Sequence, residues 1–130
     1  MKDDILNFEV RLFSPDGVNS PVLDYLDDLA DISEEAHIKC VDQILNLPSL
    51  IFVRHKSVKA FKIKDYSLFE LKIQHKNNTF SFFFIMEKPN VIVVYGFTKK
   101  TQKTEQKDIK NGTENLKNYL QKPKSISLDN

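Results

Sequence analysis

Hydrophobic and polar positions change period twice along this chain. Ile5–Phe13 places Phe8, Val10 and Leu12 on one side, the two-residue alternation of a strand. Ser14–Gly17 ("SPDG") supplies a turn, because proline presets φ and glycine accepts positive φ. Ser20 predicts a helix N-cap with Pro21 in the first helical position. Val22, Leu23, Leu26 and Leu29 then recur at helical spacing. Ser33 predicts a second cap, with Glu34 and Glu35 at the positive helix start. Ala36, Ile38, Cys40, Val41, Ile44 and Leu45 form a broad apolar stripe that Pro48 is expected to end. The two segments read as a helical hairpin.

From residue 67 the period becomes two. Phe69, Leu71 and Ile73 alternate with Glu70, Lys72 and Gln74. After a turn at Lys76–Asn78, Phe80, Phe82, Phe84 and Met86 share one face, with Ser81, Phe83 and Ile85 opposite. After a second turn at Lys88–Asn90, "VIVVYGF" is almost continuously apolar, as expected of a central strand. Three strands on short turns predict an antiparallel meander. Ile109, Leu116, Tyr119 and Leu120 predict a closing helix that Gly112 weakens or splits. The predicted order is β-α-α-β-β-β-α. That is an α+β fold with an N-terminal strand, a helical hairpin, an antiparallel three-strand meander covered on one face, and a C-terminal helix. Residues 1–121 read as a single domain and 122–130 as a loose tail.

Composition narrows the class. The chain has 130 residues, 41% of them hydrophobic, enough to bury a core without covalent staples. A lone cysteine, Cys40, excludes an internal disulfide and suits a reducing cytoplasm. The opening residues carry no signal-peptide apolar core, and no apolar run reaches membrane length, so no membrane association is expected. The net charge of +1 hides an asymmetry. Residues 1–52 carry 3 basic and 11 acidic side chains (−8), and residues 53–130 carry 16 and 7 (+9). A basic second half is what an anionic partner, above all a nucleic acid, would exploit.

Candidate chemistry collects in that half. Arg54, His55, Lys56, Lys59, Lys62 and Lys64 crowd the segment before the meander. Lys72 lies on the polar face of the next strand, and Lys99, Lys100 and Lys103 follow the last. Tyr95 and Phe97 add aromatic surface, and lysines beside aromatics hold phosphates and stack bases. The acidic residues of the hairpin lie mostly off its apolar stripe, as a solvated face does, and show no metal-ligand spacing. His37 and His75 read as structural and Cys40 as core. Sequence signatures of zinc peptidases, zinc ribbons, P-loops and hydrolase elbows are absent.

"LFELKI" (Leu68–Ile73), "TFSFFFI" (Thr79–Ile85) and "VIVVYGFTKKTQKT" (Val91–Thr104) together resemble the RelE/ParE toxin superfamily, and most of all its HigB-like, phage-derived branch. That branch carries an L-x-E-L-R strand, a Y-R-x-x-Y/F strand and a strand ending H-G-F-x-K-K-T-Q-K-T-P. The resemblance implies a cytoplasmic toxin of a type II toxin–antitoxin pair that cleaves mRNA on the ribosome and is masked by a cognate antitoxin. The cut is metal- and cofactor-independent: the 2′-hydroxyl attacks the adjacent phosphate, and cations stabilise the phosphorane. It implies a catalytic set of Lys72, Tyr95, Lys99 and His55. Tyr95 and His55 would exchange protons, with neighbouring cations favouring the tyrosine phenolate. RNA contacts fall to Arg54, Lys56, Lys59, Lys62, Ser81, Phe97, Lys100 and Lys103. The chain departs from the pattern at Lys72 and Ser81, where arginines are expected, and at Tyr95 (histidine) and Glu105 (proline). Losing one electrostatic stabiliser at a phosphoryl centre costs about 2.7–4 kcal/mol. The same scaffold therefore also admits a non-cutting binding protein or a ParE-like topoisomerase inhibitor.

Overall fold

A 3-10 turn at Lys2–Asn7 leads into β1 (Glu9–Phe13). Three helices follow, α1 (Pro21–Ile32), α2 (Glu34–Leu45) and α3 (Leu47–Phe52). Strands β2 (Val58–Ile63), β3 (Tyr66–His75), β4 (Asn78–Glu87) and β5 (Asn90–Lys99) come next, then α4 (Gln106–Gln121) and β6 (Ser125–Ser127). This computed structural model describes residues 2–63, 66–100 and 103–128. Lys64 of the basic segment and Thr101 and Gln102 of the K-K-T-Q-K-T run lie outside them.

The helix starts follow their caps. The Ser20 hydroxyl accepts from the amides of Val22 and Leu23, and Ser33 accepts from Ala36. Asp16 accepts from the amides of Val18 and Asn19, bonds that hold its carboxyl well below the usual range and fix the turn before α1. Pro48 does not stop α2. That helix ends at Leu45, and Pro48 sits in the first turn of α3, where its missing N–H is harmless. On α2 only Ala36, Cys40 and Ile44 are buried, a stripe one residue wide at four-residue spacing, while Ile38 and Leu45 face outward.

The sheet is mixed, with order β2-β3-β4-β5-β1-β6. The meander has four strands rather than three, because half of the basic segment pairs with β3 as its outer strand. β1 runs parallel to β5, and β5 begins at Asn90 opposite Glu9, so the ladder starts there and not at Ile5. The final residues are not loose throughout. β6 pairs antiparallel with β1, clamped by the Arg11 guanidinium on the Ser125 hydroxyl (2.7 Å) and carbonyl (2.9 Å).

Both faces of the sheet are covered, not one. Phe80, Phe82 and Phe84 pack with α1–α3, and Phe83, Ile85, Ile92 and Val94 pack with Leu116 and Tyr119 of α4. α4 runs unbroken through Gly112, which stands where the helix lies close against the sheet. A Cβ there would meet the Phe83 ring at 2.4 Å. Gly96 does the same on the other face, where a Cβ would lie 2.7 Å from Phe82 and 3.0 Å from Tyr25.

Candidate nucleic-acid site

The register decides which chemistry shares a face. Phe84 pairs with Val93 but Phe83 pairs with Tyr95, so Val94 is an extra residue, a β-bulge. Past the bulge the alternation of β5 is inverted. Tyr95, Phe97 and Lys99 therefore lie on the α4 face, beside Ser81 on β4, Glu70 and Lys72 on β3, and Lys59 on β2. Without the bulge they would lie under α1.

Four expected residues converge. His55, Lys56, Lys59 and Lys72, with Ser57 and Gln74, line a cleft of about 430 Å³ between the end of α3, the start of β2 and the open end of β3. Lys56, Lys59 and Lys72 have no ion-pair partner among the described residues. The Ser57 amide donates to His55 Nδ1 (3.1 Å), and the Ser57 hydroxyl lies 2.8 Å from the same nitrogen. That assigns the Nδ1 lone pair to acceptance, so the neutral ring carries its proton on Nε2.

Arg54 stands at the rim in a left-handed conformation, φ 54°. It ends α3 as the glycine of a Schellman motif would. The Arg54 amide donates to Ile51 O (3.1 Å) and the His55 amide to Leu50 O (2.9 Å). An L-residue there costs about 1–2 kcal/mol.

The other expected residues are placed differently. Lys99 is no free cation: its Nζ lies 2.9 Å from Glu70 Oε2, and the two side chains are only 6% and 9% exposed. The carboxylate oxygen is off the angles of a hydrogen bond, so charge alone holds the pair. Ser81 is fully buried, and its hydroxyl has no hydrogen-bond partner among the described residues. Phe97 is 5% exposed, with its ring centroid 5.2 Å from that of Phe83 and 5.4 Å from that of Tyr95, so it is core and offers no stacking surface. Tyr95 donates its hydroxyl to Asp108 Oδ1 on α4 (2.7 Å). Burial pushes the phenol up to about 12, and Asp108 adds to the rise, the opposite of the expected phenolate. Lys62 falls on the other face of the sheet, while Lys100 and Lys103 are exposed beyond β5. His37 donates its Nδ1–H to Leu26 O (2.8 Å) and ties α2 to α1, and Cys40 is buried.

Glu70 is the residue that sequence reading missed. Strand alternation put it on the polar face with Lys72, but no local signal reports a lysine arriving from two strands away. Among the described residues no group of three or more His, Cys, Asp or Glu side chains is placed to hold a metal ion, and no helix is long and apolar enough to cross a membrane.

A short parallel pairing of β1 with β5, a meander, helices on both faces and a cationic cleft at the open end of the sheet make this a small RelE-like α+β domain. No curated protein and no solved structure gives a match. Residues 24–117 match the family of phage-derived Gp49-like proteins, and the chain belongs to that family, which is RelE-toxin-like. The matched span runs from α1 to the last turns of α4 and contains every residue of the cleft.

Proposed function

We propose that this chain is a HigB-like toxin that cuts mRNA on the ribosome and is held silent in the cytoplasm by a cognate antitoxin. The observation that carries the reading is the convergence of His55, Lys56, Lys59 and Lys72 on one cleft. Three ammonium groups within one cleft, without an ion-pair partner among the described residues, suit a phosphodiester, whose transition state gathers charge on the non-bridging oxygens. In its imidazolium form His55 donates the Nε2 proton to the departing 5′-oxygen, while the proton of the attacking 2′-hydroxyl passes to solvent water, so one proton is released and one delivered in each cut. Arg54 contacts a flanking phosphate from the rim. Tyr95 is a positioning residue: it fixes the start of α4 through Asp108 and leaves proton transfer to His55.

The test is inducible expression in a bacterium, with primer-extension mapping of ends on translated and untranslated copies of one message. The expected result is new 5′-hydroxyl ends in the translated copy alone, lost in His55→Ala and strongly reduced in Lys72→Ala. Uncut message with abundant folded protein overturns the reading. A non-cutting binding protein is the second reading. It is favoured by the ion pair that occupies Lys99 and by the burial of Ser81. Antitoxin binding without any cleavage would establish it.

A further inference from the structure

The Glu70–Lys99 pair is an oddity within a basic region. The register puts Glu70 opposite Phe83 and Lys99 opposite Thr79, so the two ends lie two strands and four residues apart. Ser81 stands midway on β4, and its small side chain leaves the path open for the two long ones. Beneath that path its hydroxyl is buried with no hydrogen-bond partner among the described residues. A buried hydroxyl without a partner is uncommon, and each instance asks for an explanation. Lys72 is the cross-strand neighbour of Ser81 on one side, and Lys59 lies directly opposite Glu70 on the other.

We infer that Lys99 Nζ and the Ser81 hydroxyl form a second phosphate subsite beside the cleft, for a phosphodiester of single-stranded RNA, and that Glu70 is the residue that gates it. With the gate closed, Glu70 holds the ammonium and the hydroxyl is idle. An entering phosphate takes both, and Glu70 turns to Lys59 across the β2–β3 ladder. The exchange is inexpensive because the present pair lacks directed hydrogen bonds, so its attraction does little more than offset the cost of burying two charges. Closure also discriminates, since only a ligand with a formal negative charge displaces a carboxylate from a lysine. This inference rests on the RNA reading of the cleft.

The experiment uses the purified chain and a fluorescent single-stranded 2′-O-methyl RNA, which cannot be cut, in an anisotropy titration over a range of salt. Glu70→Gln is expected to bind several-fold tighter than wild type, with a log K against log salt slope steeper by about 0.7, one added phosphate contact. Adding Lys99→Met to that variant is expected to abolish the gain, and adding Ser81→Ala to reduce it. Glu70→Asp, one methylene shorter, keeps the charge but loses reach, and it carries the test if Glu70→Gln fails to fold. Wild-type binding with no gain in either folded Glu70 variant overturns the gate and leaves the cleft standing. No binding by wild type or by the folded variants overturns the RNA reading along with it.

Discussion

Replacing Lys99 alone is expected to unbalance the fold before it informs on catalysis. Lys99→Met keeps most of the aliphatic length but removes the charge that faces Glu70, whose side chain is 9% exposed. Removing one partner of a buried ion pair costs about 3–5 kcal/mol, because the other charge is left in low dielectric. Replacing both with apolar or neutral groups of similar size is near neutral. The cycle therefore has a clear signature: Lys99→Met and Glu70→Gln each destabilise, and the double variant recovers most of the loss. With a urea m-value of about 2 kcal/mol/M, within the usual range for small domains, a single variant loses about 1.5–2.5 M in midpoint. The chain has no tryptophan, so far-UV circular dichroism is the probe. A Lys99→Met variant within about 0.5 kcal/mol of wild type would show that the pair is hydrated and would remove the premise of buried charge. The cycle also decides which functional variants are clean. His55 is exposed and Lys72 half-buried, neither has an ion-pair partner among the described residues, and both report on the cleft better than Lys99 does.

Gly112→Ala gains about 1 kcal/mol of helix propensity but puts a methyl 2.4 Å from the Phe83 ring. Overpacking of that kind costs about 1–3 kcal/mol, so a net fall in thermal midpoint is expected, and a rise would show that α4 can shift. Arg54→Gly relieves the left-handed strain at the end of α3 and should raise stability by about 1 kcal/mol while lowering RNA cleavage. Equal loss of both would place Arg54 in the scaffold only. Tyr25 and Tyr95 each stay protonated up to about 12, against 10.0 for an unburied phenol. The unfolded chain thus releases these protons first, and stability should fall between about pH 10 and 12. Urea midpoints measured over that range in Tyr25→Phe and Tyr95→Phe should each show a shallower decline than wild type, and an unchanged slope would refute the assignment.

Local patterns told a large part of this structure in advance. Ser20 and Ser33 cap their helices because a hydroxyl before an apolar-periodic run satisfies orphan amides wherever the chain goes. The alternation along β3 and β4 assigns Leu71, Phe82 and Phe84 to one layer and Leu68 and Phe83 to the other. The basic character of the segment from Arg54 to Lys72 marks the cleft, since charge is carried by composition. What tertiary structure alone decided was which residues meet. β2 mixes lysines with apolar residues because it is an edge strand, so it shows no clean period. The pairing of β1 with β5 and β6 depends on partners about 80 to 115 residues away in sequence, which no local window contains. One inserted residue at Val94 turns Tyr95, Phe97 and Lys99 towards α4, and with them the ion pair to Glu70. Sequence determined the chemistry available to this protein. The bulge and the strand order determined which of it was left open to a ligand and which was buried, because side-chain direction in a sheet depends on register and register depends on neighbouring strands.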